Sequence, residues 1–304
     1  MKLTPRNPLR QYPLACIAII AIILLSLYQF TFLISTSPKQ QPSHPSKRDP
    51  SEDSIHIENF KPGNRRIPKL IHQSWKTKDV PSKYLNWTLS WQTLNPEYEY
   101  RLWTDQENRD LVRLHYPWFL ETFDAFPDPI MRADASRVFY MHKYGGVYAD
   151  LDFECLKPLD PLLASHHSVL GSMSVGLNVF LHAHSIPNAW MSSKPGHPLW
   201  MSCAKRMMQN SKGSVEQITG PAMLYRCVKE YSKSKASRLE PVYVAPPEYI
   251  FPFSWTQMQT RELLEACYAM RSHALNTTKC LDYVDPERKA FAITYWGHSW
   301  APAY

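Results

Sequence analysis

The 304-residue chain contains no Cys-x-x-Cys pair, which removes the common zinc frameworks from consideration. It has no basic run and no nucleic-acid-binding motif, so its formal charge of +7 is not the footprint of a DNA or RNA partner. An anionic substrate or a membrane surface would suit that charge, and mild basicity also serves solubility alone. No internal repeat is visible, which excludes solenoid and propeller architectures. Cysteines are few. Of six, Cys16 lies in an apolar segment, leaving Cys155, Cys203, Cys227, Cys267 and Cys280. Five is odd, so at least one has no partner within the chain. Cys267 and Cys280 flank a short polar segment and are the expected disulfide.

Charge is missing altogether from Pro13 to Ile34, a run of 22 residues. That length spans a bilayer as a helix. A cleaved signal peptide is the alternative, but its apolar core would be shorter, roughly 7–15 residues, and would end at a small-x-small site. An uncleaved anchor is expected, with Lys2, Arg6 and Arg10 holding residues 1–12 in the cytosol. Residues 35–64 then read as a stem, because Pro38, Pro42, Pro45, Pro50 and Pro62 among polar residues cannot build a core. Residues 65–304 form the expected folded domain, facing the lumen of the secretory pathway. Asn86-Trp-Thr and Asn276-Thr-Thr are glycosylation acceptors in keeping with that compartment.

At 44% hydrophobic and 13% aromatic, the folded part can bury a large core. Lys69–Trp75 reads as a buried first strand. The spacing of Tyr84, Leu85, Leu89 and Trp91 predicts a helix over Ser82–Leu94 with Ser82 as its cap. Tyr98–Trp103 reads as a second strand, followed by a helix that Asp105 caps and that runs to His115. Pro117–Phe126 reads as a short helix or turn, and Pro129 opens a helix to about Tyr144. Gly145-Gly146 stops it, since glycine takes the positive φ that a helix end requires. Val147–Leu151 is the next strand. Further helices are expected at His197–Gln209, around Pro221–Tyr231 and around Thr256–His273, with a strand near Ala290–Tyr295. Strands alternating with helices predict an α/β sheet.

The most informative stretch is Arg132–Pro161. On a strand Asp150 and Asp152 point to the same face. Two carboxylates held together repel unless a cation lies between them. Hard oxygen ligands select Mg or Mn, and such ions commonly carry a phosphate. In open α/β sheets ligands bind outside the carboxyl ends of the strands. The simplest reading is a metal-diphosphate site, and a nucleotide-sugar is one substrate that would use it. A phosphohydrolase with a strand-end Asp-x-Asp is a rival, but Glu154 stands where those enzymes carry Thr or Val. A solvated strand end is the bland alternative. Asp134 and Arg137 are three apart and share a helix face, as a diphosphate or metal-carboxylate grip or as a surface ion pair.

These residues also carry a resemblance. Ile67–Thr77, Arg132-Ala-Asp-Ala-Ser-Arg137, Tyr144-Gly-Gly-Val-Tyr-Ala-Asp-Leu-Asp152 and Pro158-Leu-Asp160 are similar to glycosyltransferase family 32, the aspartate-x-aspartate sugar transferases. Asn188–Pro198, Thr219-Gly-Pro221 and Gly297-His-Ser-Trp300 resemble its later blocks. The likeness runs from about residue 67 to 300 and is nearest to inositol phosphoceramide mannosyltransferases. It implies a GT-A-type fold with a mixed, mostly parallel sheet behind the single transmembrane helix. It implies a nucleotide-sugar donor, Mn or Mg, and retention at the anomeric carbon. Asp150 and Asp152 would be the catalytic metal-binding pair, with His298 as a third ligand. His72, Gln73, Trp75, Asp134, Arg137, Asn188, Thr219 and Gly220 would form the donor site, with Asn178 and His197 also candidates to face the sugar. GDP-mannose is the expected donor, with UDP-galactose as the alternative, and a sphingolipid or glycan is the expected acceptor in the Golgi. A non-catalytic carbohydrate-binding protein on the same fold is the rival from another class.

Overall fold

The computed structural model describes residues 67–175, 185–210, 212–254, 260–269 and 275–297. Among these no helix is long and apolar enough to cross a membrane. The expected anchor at 13–34 and stem at 35–64 lie outside the described residues.

In chain order, β1 (Leu70–Ser74), α1 (Ser82–Leu94), β2 (Glu99–Trp103), α2 (Asp105–His115), α3 (Pro129–Lys143), β3 (Gly146–Ala149), β4 (Phe153–Cys155), β5 (Ser168–Gly171) and β6 (Trp190–Ser193) lead into the second half. There α4 (Pro198–Gln209), α5 (Pro221–Tyr231), β7 (Val242–Ala245), α6 (Thr277–Val284) and β8 (Ala292–Thr294) follow, with shorter helical turns between. Six strands form one sheet in the order β2-β1-β3-β6-β5-β7, while β4 and β8 form a separate antiparallel pair. Pairs β1–β2, β1–β3 and β5–β7 are parallel, and β6 is antiparallel to both of its neighbours. The sheet is therefore mixed and mostly parallel.

Strand alternation splits the core across the two faces of the sheet. Val147, Ala149, Val169 and Trp190 pack on one side with α1, β4 and β8. Tyr148, Leu170 and Met191 pack on the other with α2, α3, α4 and α5. Trp91 is fully buried, and its indole N–H donates to the Phe153 carbonyl at 3.0 Å, which pins α1 over the strand that follows the Asp-x-Asp segment. A buried Trp of this kind contributes on the order of 3–5 kcal/mol.

Two helix starts differ from expectation. Pro81, not Ser82, stands at the N-cap of α1, and no side chain caps it. Thr104, not Asp105, caps α2, through a reciprocal capping box with Glu107. The Thr hydroxyl accepts from the Glu107 N–H at 3.2 Å and the Glu107 carboxylate accepts from the Thr104 N–H at 2.8 Å, a pairing no lone aspartate can make. Of the expected helix around Thr256–His273, Arg261–Cys267 is helical, and residues 255–259 and 270–274 lie outside the described residues. The Cys267–Cys280 disulfide is present and ties that helix to α6. Cys155, Cys203 and Cys227 are buried thiols. Asn86 and Asn276 are exposed, and Asn276 caps α6 through its carbonyl oxygen.

Gly145 and Gly146 end α3 with φ of +66° and +90° and turn the chain directly into β3. A Cβ at Gly146 would lie 2.4 Å from the Leu70 carbonyl oxygen of the neighbouring strand. Gly146→Ala is therefore expected to destabilise the fold by at least about 2 kcal/mol, from the left-handed backbone and the backbone collision together. Urea unfolding would show it as a lower midpoint at unchanged slope.

Candidate active site

Three parallel strands end side by side, and their following loops meet at one edge of the sheet. Trp75-Lys76 follows β1, Thr104-Asp105 follows β2 and Asp150–Asp152 follows β3. The antiparallel β6 begins at the same edge, so Asn188-Ala189 joins them. The edge opens into a cavity of about 550 Å³, lined among others by Trp75, Asp105, Asp134, Arg137, Asn188 and the two aspartates.

The Asp-x-Asp segment is not a continuing strand. β3 stops at Ala149, and Asp150–Phe153 is a tight turn closed by the Phe153 N–H donating to the Asp150 carbonyl at 3.1 Å. The turn carries the chain from the main sheet into the small β4–β8 pair, and both carboxylates still reach the cavity. The backbone is fixed on either side. Asp150 N–H donates to the Ala189 carbonyl at 2.9 Å, and the Gln73 amide donates to the Asp150 carbonyl at 3.1 Å.

Around this turn lies one cation among three carboxylates. Arg137, nearly buried on α3, places Nη2 at 3.0 Å from Asp150 Oδ1 and Nη1 at 3.2 Å from Asp134 Oδ1. Its Nη1 also donates to the Asn188 carbonyl at 3.1 Å. The Tyr148 hydroxyl donates to the same Asp150 oxygen at 2.6 Å. Tyr148 stands two residues before Asp150, a same-face signal in the sequence that the reading of the motif did not use. Burial works against the Arg137 charge, but Asp150, Tyr148 and Asp134 raise its pKa above the ordinary value. Burial pushes the Asp134 carboxyl up to about 6, against the pull of Arg137. Burial, then the Asp150 charge, push Asp152 up to about 7, opposed by the Gly297 N–H that donates to its Oδ2 at 2.7 Å.

The site thus holds more negative than positive charge, and Arg137 and Tyr148 engage only one oxygen of Asp150. Among the described residues no three His, Cys, Asp or Glu side chains converge on a metal position. Two hard carboxylates fit a Mg- or Mn-type ion that completes its shell with phosphate oxygens and water. His298, the expected third ligand, and Asn178 lie outside the described residues. Two buried polar atoms of cavity-lining residues have no hydrogen-bond partner among the described residues: Tyr84 Oη and Arg137 Nε. Buried polar groups without partners are costly, and a polar ligand would satisfy them.

The other expected donor-site residues lie beneath the wall rather than on it. Thr219 is buried with Oγ1 3.3 Å from Asp134 Oδ2, so it braces that carboxylate. Gly220 starts α5, where a Cβ would lie 2.8 Å from Glu216 Cα. Gln73 links the Tyr100 hydroxyl to the Asp150 backbone. His197 is fully buried at the opposite edge of the sheet, where its Nδ1 accepts from the Leu199 N–H at the start of α4. Sequence reasoning had no handle on Met173, Thr294 and Trp296, which reach the cavity from distant parts of the chain. Trp296 has φ +51°, a left-handed backbone that immediately precedes the Gly297 N–H aimed at Asp152.

His72 is also fully buried, with one ring nitrogen 2.8 Å from the Gly145 carbonyl and the other accepting from the Trp103 indole N–H at 3.0 Å. Both nitrogens are occupied only when the ring is neutral, and burial lowers its pKa to about 4. A depressed histidine stabilises the fold fully above its unfolded value, about 6.5, and loses that contribution as pH falls towards 4. His72→Gln should therefore flatten the pH dependence of unfolding between about pH 4.5 and 6.5, by up to roughly 1.4 kcal/mol per pH unit. Guanidinium titrations at several pH values would measure it, and an unchanged slope would refute it.

Residues 81–169 match a family model described as a glycosyltransferase sugar-binding region containing the DXD motif. Mannosyl phosphorylinositol ceramide synthase SUR1 of Saccharomyces cerevisiae is 32% identical over 273 residues, which is 84% of this chain and 67% of that protein. Inositol phosphoceramide mannosyltransferase 3 of Schizosaccharomyces pombe is 37% identical over 156 residues, 51% of this chain and 41% of that protein. Among solved structures, PaToxG glycosyltransferase superposes with a TM-score of 0.39 at 15% identity, covering 57% of this chain and 74% of that one, too low a likeness to argue from. The Asp150–Asp152 turn falls inside the matched region, and likeness to the yeast synthase runs through most of the chain; the chain belongs to glycosyltransferase family 32, the aspartate-x-aspartate sugar transferases, and is a glycosyltransferase.

Proposed function

We propose that the chain is a retaining mannosyltransferase that moves mannose from GDP-mannose to an inositol phosphoceramide-type sphingolipid, using Mn or Mg. The observation that carries the reading is the pair Asp150 and Asp152, held on a tight turn at a cavity whose carboxylates outnumber its arginine. The sugar and the acceptor class come from the names of the yeast relatives. In this reading the Pro13–Ile34 segment anchors the enzyme in the Golgi membrane and keeps the domain near its lipid acceptor on the lumenal side.

Each residue then has a task. Asp150 and Asp152 would hold the divalent ion, which when bound would supply charge neutralisation for the departing diphosphate. Arg137 and Tyr148 fix Asp150 through a single oxygen, which holds its rotamer and would leave the other oxygen for a divalent ion. Trp75 offers a ring to the nucleoside. Asn188 and Asp134, the latter braced by Thr219, line the cavity on the sugar side, where Asp134 offers an acceptor. The acceptor hydroxyl attacks the anomeric carbon from the face the diphosphate leaves, and the leaving oxygen takes the hydroxyl proton. No side-chain base is then required.

The deciding experiment uses the full-length protein in detergent with a panel of nucleotide-sugars and inositol phosphoceramide, with Mn or with EDTA. Mannose transfer from GDP-mannose only when Mn is present is the expected result. Metal-independent transfer, or transfer only from UDP-sugars, would overturn it.

A further inference from the structure

The cavity runs past the diphosphate position towards the outer edge of the sheet, and its wall there is Trp75, Lys76 and Asp105. The strand order provides a ruler. Asp150 follows β3, Trp75 follows β1 and Asp105 follows β2, three neighbours in one sheet. With strands roughly 4.8 Å apart, Asp105 stands about 10 Å from Asp150 along the edge. A nucleoside with its diphosphate on Asp150 and Asp152 and its ribose beside Trp75 ends at Asp105.

Asp105 is suited to meet a base. It is exposed at the cavity rim, and among the described residues its carboxylate accepts no hydrogen bond. The capping work at this helix start is done by Thr104 and Glu107, so Asp105 is not needed for it. Its backbone is held by the N–H donating to the Lys76 carbonyl at 3.4 Å, which ties the two loops of the rim together. Trp75 is half-buried, packed edge-on against Tyr84 with ring centroids 5.7 Å apart. The Tyr84 hydroxyl, 2% exposed as a residue and unpartnered among the described residues, lines the same trough.

We propose that Asp105 selects guanine by accepting hydrogen bonds from its N1–H and its N2 amino group while the ring rests against Trp75. A carboxylate is acceptor-only and offers two parallel oxygens. Guanine presents two adjacent donors on that edge. Uracil presents one N–H flanked by two carbonyls, which would face the carboxylate charge. The inference rests on the nucleotide-sugar reading above and adds a residue that decides which nucleotide is taken.

Calorimetric titration of the full-length protein with Mn and GDP, IDP, UDP or XDP tests it. IDP lacks the 2-amino group, and XDP carries a carbonyl in its place. The wild type should bind GDP about tenfold or more tighter than IDP and UDP. Asp105→Asn should lose about ten- to hundredfold in GDP affinity, no longer separate GDP from IDP, and gain XDP, whose carbonyl accepts from the new amide. Unchanged GDP binding by Asp105→Asn would overturn the assignment of Asp105 alone. A wild type that prefers UDP would overturn guanine selection while keeping the metal-diphosphate site. Failure to bind any of the four would overturn the nucleotide-sugar reading itself. Should the variant not fold, the wild-type ranking of GDP, IDP and UDP still decides whether guanine's amino group is read.

Discussion

Asp152→Asn should abolish sugar transfer, by roughly a thousandfold or more, in a protein that melts no earlier than the wild type when metal is absent. The activity loss follows because an amide keeps the shape of the ligand but removes its charge, and neutralising a departing diphosphate supplies several kcal/mol to the transition state. The stability expectation follows from the same cluster. Asp134, Asp150 and Asp152 crowd around Arg137, and the charge on Asp152 is opposed by burial and by Asp150. An asparagine there still accepts from the Gly297 N–H through its carbonyl oxygen. Thermal melting with and without Mn and GDP adds a second readout, since a ligand bound only by the folded state raises the midpoint. The wild type should show that rise and Asp152→Asn should not. A variant that keeps wild-type transfer would remove Asp152 from the metal.

The parts of this site that were legible in the sequence are the local ones. The Asp-x-Asp pair, the Asp134–Arg137 spacing on one helix and the Gly145-Gly146 stop each depend on residues within a few positions of one another. Helix α1 is found over Ser82–Leu94 and α5 over Pro221–Tyr231, both as the spacing predicts. What could not be read is what the tertiary fold brings together. Gly297 reaches Asp152 across 145 residues, and Thr219 reaches Asp134 across 85. Nothing local in either sequence announces such a contact. The short strands β5 and β6 also gave no periodic signal, because a four-residue strand buried on both faces, such as Ser168–Gly171 or Trp190–Ser193, has no polar alternation to show. His72 shows the reverse failure. A histidine at a strand end beside the site looks like a ligand, yet the fold turns it inward between Gly145 and Trp103.

Arg137→Met should cost about 3–5 kcal/mol of stability as well as activity. The side chains of Arg137 and Asp134 are 7% and 6% exposed, so removing the guanidinium leaves Asp134 as a buried anion without its cation and Asp150 with the Tyr148 hydroxyl alone. The guanidinium also lies 4.8 Å from the Tyr148 ring, a contact the thioether does not replace. Asp134→Asn should be milder in stability, about 1–2 kcal/mol, because Arg137 keeps Asp150 and the Asn188 carbonyl while the new amide still meets Thr219. The double variant Asp134→Asn with Arg137→Met should then be more stable than Arg137→Met alone, since the uncompensated buried charge is gone, a coupling of roughly 1–3 kcal/mol. It should remain inactive, because Tyr148 alone then holds the Asp150 carboxylate and position 134 no longer offers a charged acceptor to the sugar. This separates two roles that a single substitution confounds. If the pair were only a structural ion pair, recovery of stability in the double variant would bring back activity with it. Chemical unfolding and transfer rates on the same three proteins give the answer, and strictly additive losses in stability would show that Asp134 and Arg137 do not act as a pair.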